Sequence, residues 1–197
     1  LSAEDTGGHN TAIGYRALSQ LNYDGNGYNT TVGSDAGRKV STGIQNTIIG
    51  GLAGDALTTG DNNVAIGYLS LSTEDAHGRN VAVGAYALKD QNAGAQAYNV
   101  AVGYQAGYAV TTGVRNTLIG AAAGDAITTG EFNVAMGYNA LGSATDTDQS
   151  VAIGYGALAA LNYSGDSNNT AVGHNTGAAL VGGIKNTLLG AFAGDAL

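Results

Sequence analysis

Cysteine, proline and tryptophan are absent from this 197-residue chain, and its seven Lys and Arg are outnumbered by fifteen Asp and Glu, giving a net charge of −8. The missing cysteine excludes disulfide scaffolds and thiolate-held metal centres. Without proline, and with no glycine period of three, a collagen triple helix is excluded too. Binding nucleic acid through its phosphates needs clustered positive charge, which so few cations do not supply, so no nucleic-acid partner is expected. The longest apolar runs are a few residues, far below the ~18 of a membrane span, so no membrane insertion is expected. The opening Leu1-Ser2-Ala3-Glu4-Asp5 does not read as a secretory leader. Charged residues make up 11% of the chain against about 25% in ordinary domains. A hydrophobic content of 44% nevertheless argues for an ordered chain.

What the chain has in surplus is glycine, 33 residues, more than twice the usual share. The surplus belongs to an internal repeat, which decides the fold before any single element does. A five-residue word, Asn, Thr or Val, a mostly small or aliphatic residue, an aliphatic residue and Gly, occurs eleven times. It begins at Asn10, Asn29, Asn46, Asn63, Asn80, Asn99, Asn116, Asn133, Ser150, Asn169 and Asn186, and only Ser150 departs from Asn. Spacings of 19, 17, 17 and 17 recur, so four coils form a super-repeat of 70 residues. The super-repeats span 10–79, 80–149 and, in part, 150–197, and residues 1–9 read as the end of a preceding coil.

Counting each coil from its first word residue, positions two and four are β-branched or aliphatic, as in Val64 and Ile66, the period-2 pattern of a half-buried strand. Position eight is Ala in nine coils, with Ser70 and Thr176 the exceptions, which suggests that core layers meet closely there. Position nine alternates in a Leu-Gly-Gly-Leu rhythm, and coils with Gly there carry an aliphatic residue at position twelve: Val40, Leu57, Val110, Ile127, Leu180 and Leu197. Each coil thus reads as two inward-facing stretches separated by turns.

Position five is Gly throughout: Gly14, Gly33, Gly50, Gly67, Gly84, Gly103, Gly120, Gly137, Gly154, Gly173 and Gly190. An invariant corner that needs positive φ or close backbone approach explains this column. Thr-Thr-Gly, as at Thr58-Thr59-Gly60, supplies a second corner. In a helix these glycines and β-branched residues would each cost up to ~1 kcal/mol. The sequence therefore predicts an all-β, single-domain parallel β-solenoid of eleven coils, roughly 50 Å long at ~4.8 Å per coil. The repeated Asn, with Ser150, is expected to form a corner ladder bonding the next coil and the turn backbone. Both ends fall inside a coil, so the chain reads as a segment of a longer protein or a subunit that stacks end to end.

The words Asn10-Thr11-Ala12-Ile13-Gly14, Asn63-Val64-Ala65-Ile66-Gly67, Asn80-Val81-Ala82-Val83-Gly84 and Ser150-Val151-Ala152-Ile153-Gly154 resemble the head repeat of YadA-like trimeric autotransporter adhesins. With Gly14-Tyr15-Arg16-Ala17-Leu18 and Gly154-Tyr155-Gly156-Ala157-Leu158 they are still more similar to phage tail-fibre repeats. The resemblance covers essentially the whole chain. It implies a left-handed β-roll, three chains wound into one fibre, and a place on the surface of a phage or bacterium where the fibre serves attachment. The coils here are longer than those of adhesin heads.

Tyrosine is the conspicuous side chain, with 11 against two Phe. Tyr15, Tyr68, Tyr104, Tyr138 and Tyr155 follow the position-five glycine. They suit either a sugar-stacking stripe on a host glycan or packing between chains and coils. Tyr23 and Tyr163 sit in the two-residue insertions of 19-residue coils, where loop tips commonly carry contacts. Asp55, Asp125 and Asp195 recur at 70-residue intervals and read as turn carboxylates, since no calcium-loop motif is present. His9, His77 and His174 occupy three different coil positions and form no ladder, so neither a metal nor any other cofactor is expected. Glu4-Asp5, Glu74-Asp75 and Asp146-Thr147-Asp148 lie at one recurring segment and read as a solvated acidic edge rather than a glycosidase pair. With no nucleophile and base together, no enzyme is expected. The Thr pairs vanish in two of every four coils, which breaks the regular hydroxyl array that ice binding would need.

Overall fold

The computed structural model describes residues 8–196 and is all-β, a parallel solenoid of about eleven turns. Each coil contributes one three-residue strand from its word: β1 (Thr11–Ile13), β2 (Thr30–Val32), β3 (Thr47–Ile49), β4 (Val64–Ile66), β5 (Val81–Val83), β6 (Val100–Val102), β7 (Thr117–Ile119), β8 (Val134–Met136), β10 (Val151–Ile153), β12 (Thr170–Val172) and β13 (Thr187–Leu189). They stack in sequence order into one 11-stranded sheet, like position on like position, as in Val64 on Val81 and Ala65 on Ala82. Two short strands, β9 (Thr147–Asp148) and β11 (Gly165–Asp166), pair on a separate flank. No described helix is long and apolar enough to cross a membrane.

The strands face the opposite way from the one their β-branched pattern suggests. Position three is the buried one, with Ile48, Ala65, Ala82, Ala101, Leu118, Ala135, Ala152 and Ala171 fully enclosed. Positions two and four point away from the core, and several remain exposed, among them Ile13, Ile49, Val102, Met136 and Leu189. A coil of 17 residues encloses a core about one side chain thick. Small residues at positions three and eight let its two walls approach, and the larger β-branched residues occupy the outer face instead.

The Leu-Gly-Gly-Leu rhythm is a volume code within this core. Leu18, Leu71, Leu88, Leu141 and Leu158 are fully buried and left-handed, with φ of 51, 49, 47, 52 and 51°. Where position nine is Gly, other side chains fill its space: a Cβ at Gly37 would lie 3.0 Å from Ile48 Cδ1, and one at Gly54 would lie 3.1 Å from Leu57 Cδ1. Position twelve is buried in every coil where it is described, from Leu21 to Leu180, and Leu197 lies outside the described residues. Glu74 and Gln91 interrupt that otherwise apolar column.

The corners use more left-handed residues than the glycines announce. The residue before each word is left-handed in all eleven coils, from His9 (φ 60°) to Lys185 (φ 58°). Position seven is left-handed as well, whether it carries Leu52, Tyr86 or Phe192. Each such residue costs roughly 1–2 kcal/mol, borne because every coil's backbone bonds to the next one.

Candidate functional site

Three columns of side chains run the length of the stack, and each follows from the coil's register. The first is internal. The Asn99 side-chain oxygen accepts the Asn116 amide N–H at 2.8 Å, and Asn116 in turn accepts that of Asn133 at 2.9 Å. Seven of them, Asn29, Asn46, Asn63, Asn99, Asn116, Asn133 and Asn169, also donate across the coil to a carbonyl 14 residues on, as Asn46 does to Gly60 at 2.8 Å, whereas the Asn80 amide nitrogen is buried without a partner. The ladder runs from Asn10 to Ser150 and resumes from Asn169 to Asn186. At Ser150 the hydroxyl turns to the Ser167 hydroxyl instead. From Asn29 to Asn169 these residues are buried, and they tie coil to coil, so most of their chemistry is used in the scaffold.

The second column is the outward sheet face. Its two rows carry Thr or Val at position two and Ile, Val, Met or Leu at position four, without one charged side chain. Ile13 is 60% exposed and Leu189 78%, while the middle of the stripe, at Ile49, Val102 and Met136, stands near 37%. A strip about 50 Å long and about 10 Å wide amounts to some 500 Å², at the upper end of what a monomer leaves bare.

The third column is aromatic. Tyr138, Tyr155 and His174 stack face to face, with centroids 5.3 and 5.0 Å apart and planes 19 and 20° from parallel. Tyr68, Tyr86 and Tyr104 meet edge to face at 5.6 and 6.1 Å. All five predicted tyrosines are exposed, Tyr15 most at 69%. Tyr155 is nonetheless sandwiched between rings on both faces, which leaves its edge and hydroxyl outward. A sugar-stacking platform needs open ring faces. The column therefore zips coils together along much of its length, and Tyr15, with Arg16 5.2 Å over its ring, is its most open member.

The two tyrosines of the 19-residue coils do not stand at exposed loop tips, although their neighbours Asn22, Asp24 and Asn162 are exposed. Tyr23 and Tyr163 lie half-buried against the core, and the Tyr163 backbone both donates to and accepts from the Thr147 hydroxyl. The supposed acidic edge also divides. Asp75 is exposed, but Glu74 is fully buried at position twelve, and Glu4-Asp5 lies outside the described residues. Asp146 is held below its usual range by the Ser164 and Thr145 hydroxyls, and Asp148 accepts the Glu131 amide. Burial raises the Asp55 carboxyl although Arg38 of the preceding coil lies 3.5 Å away. Asp195 is exposed, and His9 and His174 serve as ring neighbours of Tyr28 and Tyr155.

Asp125 has no such cation, and its half-buried carboxyl is raised by desolvation, with one oxygen unbonded. A raised folded-state value means that stability is fully present below the unfolded value of 3.8 and is lost as pH rises through the folded value. Asp125→Asn should therefore flatten the decline of thermal stability between pH 4 and pH 7 relative to the parent. The gain at neutral pH stays below about 1 kcal/mol, because solvent screens a half-open group. Melting curves of the two proteins across that range check it.

No concave pocket opens among the described residues. Signals that position alone could have revealed are Glu74 and Gln91, which stand at position twelve where other coils are aliphatic. Comparison with protein-family models, with curated proteins and with solved structures finds no match for the chain.

Proposed function

We propose that the chain is a structural segment of an extracellular fibre serving attachment to a host or another surface, with a phage tail fibre the assembly it fits best. The observation that carries this reading is the outward sheet face, where the most strand-prone apolar residues stand away from their own core. Its occupant is a second copy of the same chain. The face carries no charge to attract an electrostatic partner, and its rungs repeat at the strand spacing, a period that another copy matches along its whole length. Three copies around one axis is the number implied by the resemblance to tail-fibre and adhesin repeats.

Mass measurement in solution tests the reading. The parent chain should run as a discrete, heat-resistant trimer. Placing Lys at Ile49, Val102 and Met136 together should reduce it to one third of that mass with its β-sheet circular dichroism retained, because all three side chains lie outside the monomer core. A parent that is monomeric, or that forms an open-ended series of polymers, would overturn it.

A further inference from the structure

The position-twelve column contains one feature that neither the scaffold nor a fibre role requires. Leu57 precedes Glu74 in the stack, and Val110 and Ile127 follow beyond Gln91, all fully buried. Gln91 is accommodated: its side-chain oxygen accepts from Asn99 at 2.6 Å, and its amide donates to the Thr111 carbonyl at 3.0 Å. Glu74 is not. It has no exposed surface, one oxygen accepts the His77 amide at 3.2 Å, the Ala93 backbone amide of the next coil adds a weaker pull on the carboxylate, and Oε2 is buried with no partner at hydrogen-bond distance. Nδ1 of His77 is likewise buried and unpartnered, 3.6 Å from Glu74 Oε1, too far for a hydrogen bond. Two adjacent orphaned groups in a well-bonded stack are a costly arrangement unless something joins them.

The geometry points to a site for one divalent transition cation of the Zn²⁺ class, held by Glu74, Asp75 and His77. One ligand atom from each of the three lies within 4.8 Å of the other two. Tetrahedral zinc with bonds near 2.1 Å needs ligand edges of about 3.4 Å. The Glu74 to His77 edge of 3.6 Å is already close, and exposed Asp75 supplies the remaining contraction by rotating. Imidazole with carboxylates selects Zn²⁺ over Ca²⁺ or Mg²⁺, which take oxygen ligands, and water completes the shell. The turn that presents these ligands is fixed from the preceding coil, where Thr58 donates twice to the Asp75 carbonyl, at 2.5 and 2.8 Å, and from its own coil, where Asn63 donates to the His77 carbonyl at 3.2 Å. This inference stands apart from the fibre reading.

Calorimetric titration of the metal-free chain with ZnCl₂ should give one ion per chain, and Zn²⁺ but not Mg²⁺ should raise its melting temperature. His77→Gln and Asp75→Asn, both outside the core, should each weaken binding more than about tenfold while the fold is retained. Glu74→Leu restores the apolar column, so it should melt higher than the metal-free parent and lose the response to Zn²⁺. Absence of binding by the parent, or binding that His77→Gln leaves unchanged, would overturn the site.

Discussion

Replacing Gly84 with alanine should unfold the middle of the stack at a cost of at least about 3 kcal/mol. Gly84 has φ of 134°, and the whole position-five column lies between 112 and 144°, a region that is essentially closed to residues with a Cβ. A methyl group there would also overlap the Gly103 carbonyl and crowd the Tyr104 amide, both of them backbone and both tied into the sheet. Neither can retreat without breaking the rung above. In a stack where each coil contacts only its neighbours, the damage divides the solenoid into two shorter pieces. Thermal melts should show a large fall in midpoint and a broadened or split transition. Gly182→Ala is the control: its φ is not positive and no atom lies within 4 Å of the added group, so its stability should equal or slightly exceed the parent's. If Gly84→Ala melted like Gly182→Ala, the corner would not limit stability.

Period, strand position, glycine corner and parallel stacking were all legible in the spacing of the words. Which way the strand faced was not. Aliphatic residues occupy positions two, three and four in several coils, such as Val64, Ala65 and Ile66, so alternation alone does not say which set is inside. Enclosure decides it: the thin core accepts Ala at position three, and the bulkier rows are left for a surface. The left-handed positions were hidden for a different reason. Arg16, Leu52 and Tyr86 have nothing in common as residue types, and their conformation is imposed by the hydrogen bonds of neighbouring coils rather than by local preference. The facing tyrosines were visible as a column, but not that Tyr155 spends both ring faces on its neighbours. Beside exposed Asp75, Glu74 looks solvated in the sequence, yet it is buried. Its count from Asn63 places it in the core column, and aligning all coils at position twelve exposes the anomaly.

Asn116→Ala should cost about 3–5 kcal/mol, the second large effect. The side chain donates to the Gly130 carbonyl at 2.8 Å and accepts from the Asn133 backbone and side chain at 2.9 and 3.1 Å. Alanine strands the carbonyl and the amide N–H in a buried corner that leaves little room for water. Asn116→Asp keeps the acceptor but turns a carboxylate toward the Gly130 carbonyl, so it should be at least as damaging at pH 7. Its carboxyl would be held above the usual range by burial, so stability should recover as pH falls and the group protonates. Chemical denaturation at pH 4 and pH 7 separates the two variants, since the alanine deficit has no reason to shrink in acid. Asn116→Ser is the informative intermediate, because the chain already contains that substitution at Ser150. There the hydroxyl is partnered by Ser167, the penultimate residue of the 19-residue coil that Ser150 itself begins. Asn116 begins a 17-residue coil whose last two residues are Glu131 and Phe132, so that coil offers no hydroxyl at the place Ser167 holds. A serine at 116 should therefore retain little of the asparagine's contribution, whereas Ser167→Ala in the parent should reproduce part of the loss at Ser150. Near-parental stability of Asn116→Ser would mean that the ladder tolerates breaks on its own and that the pairing with Ser167 is incidental.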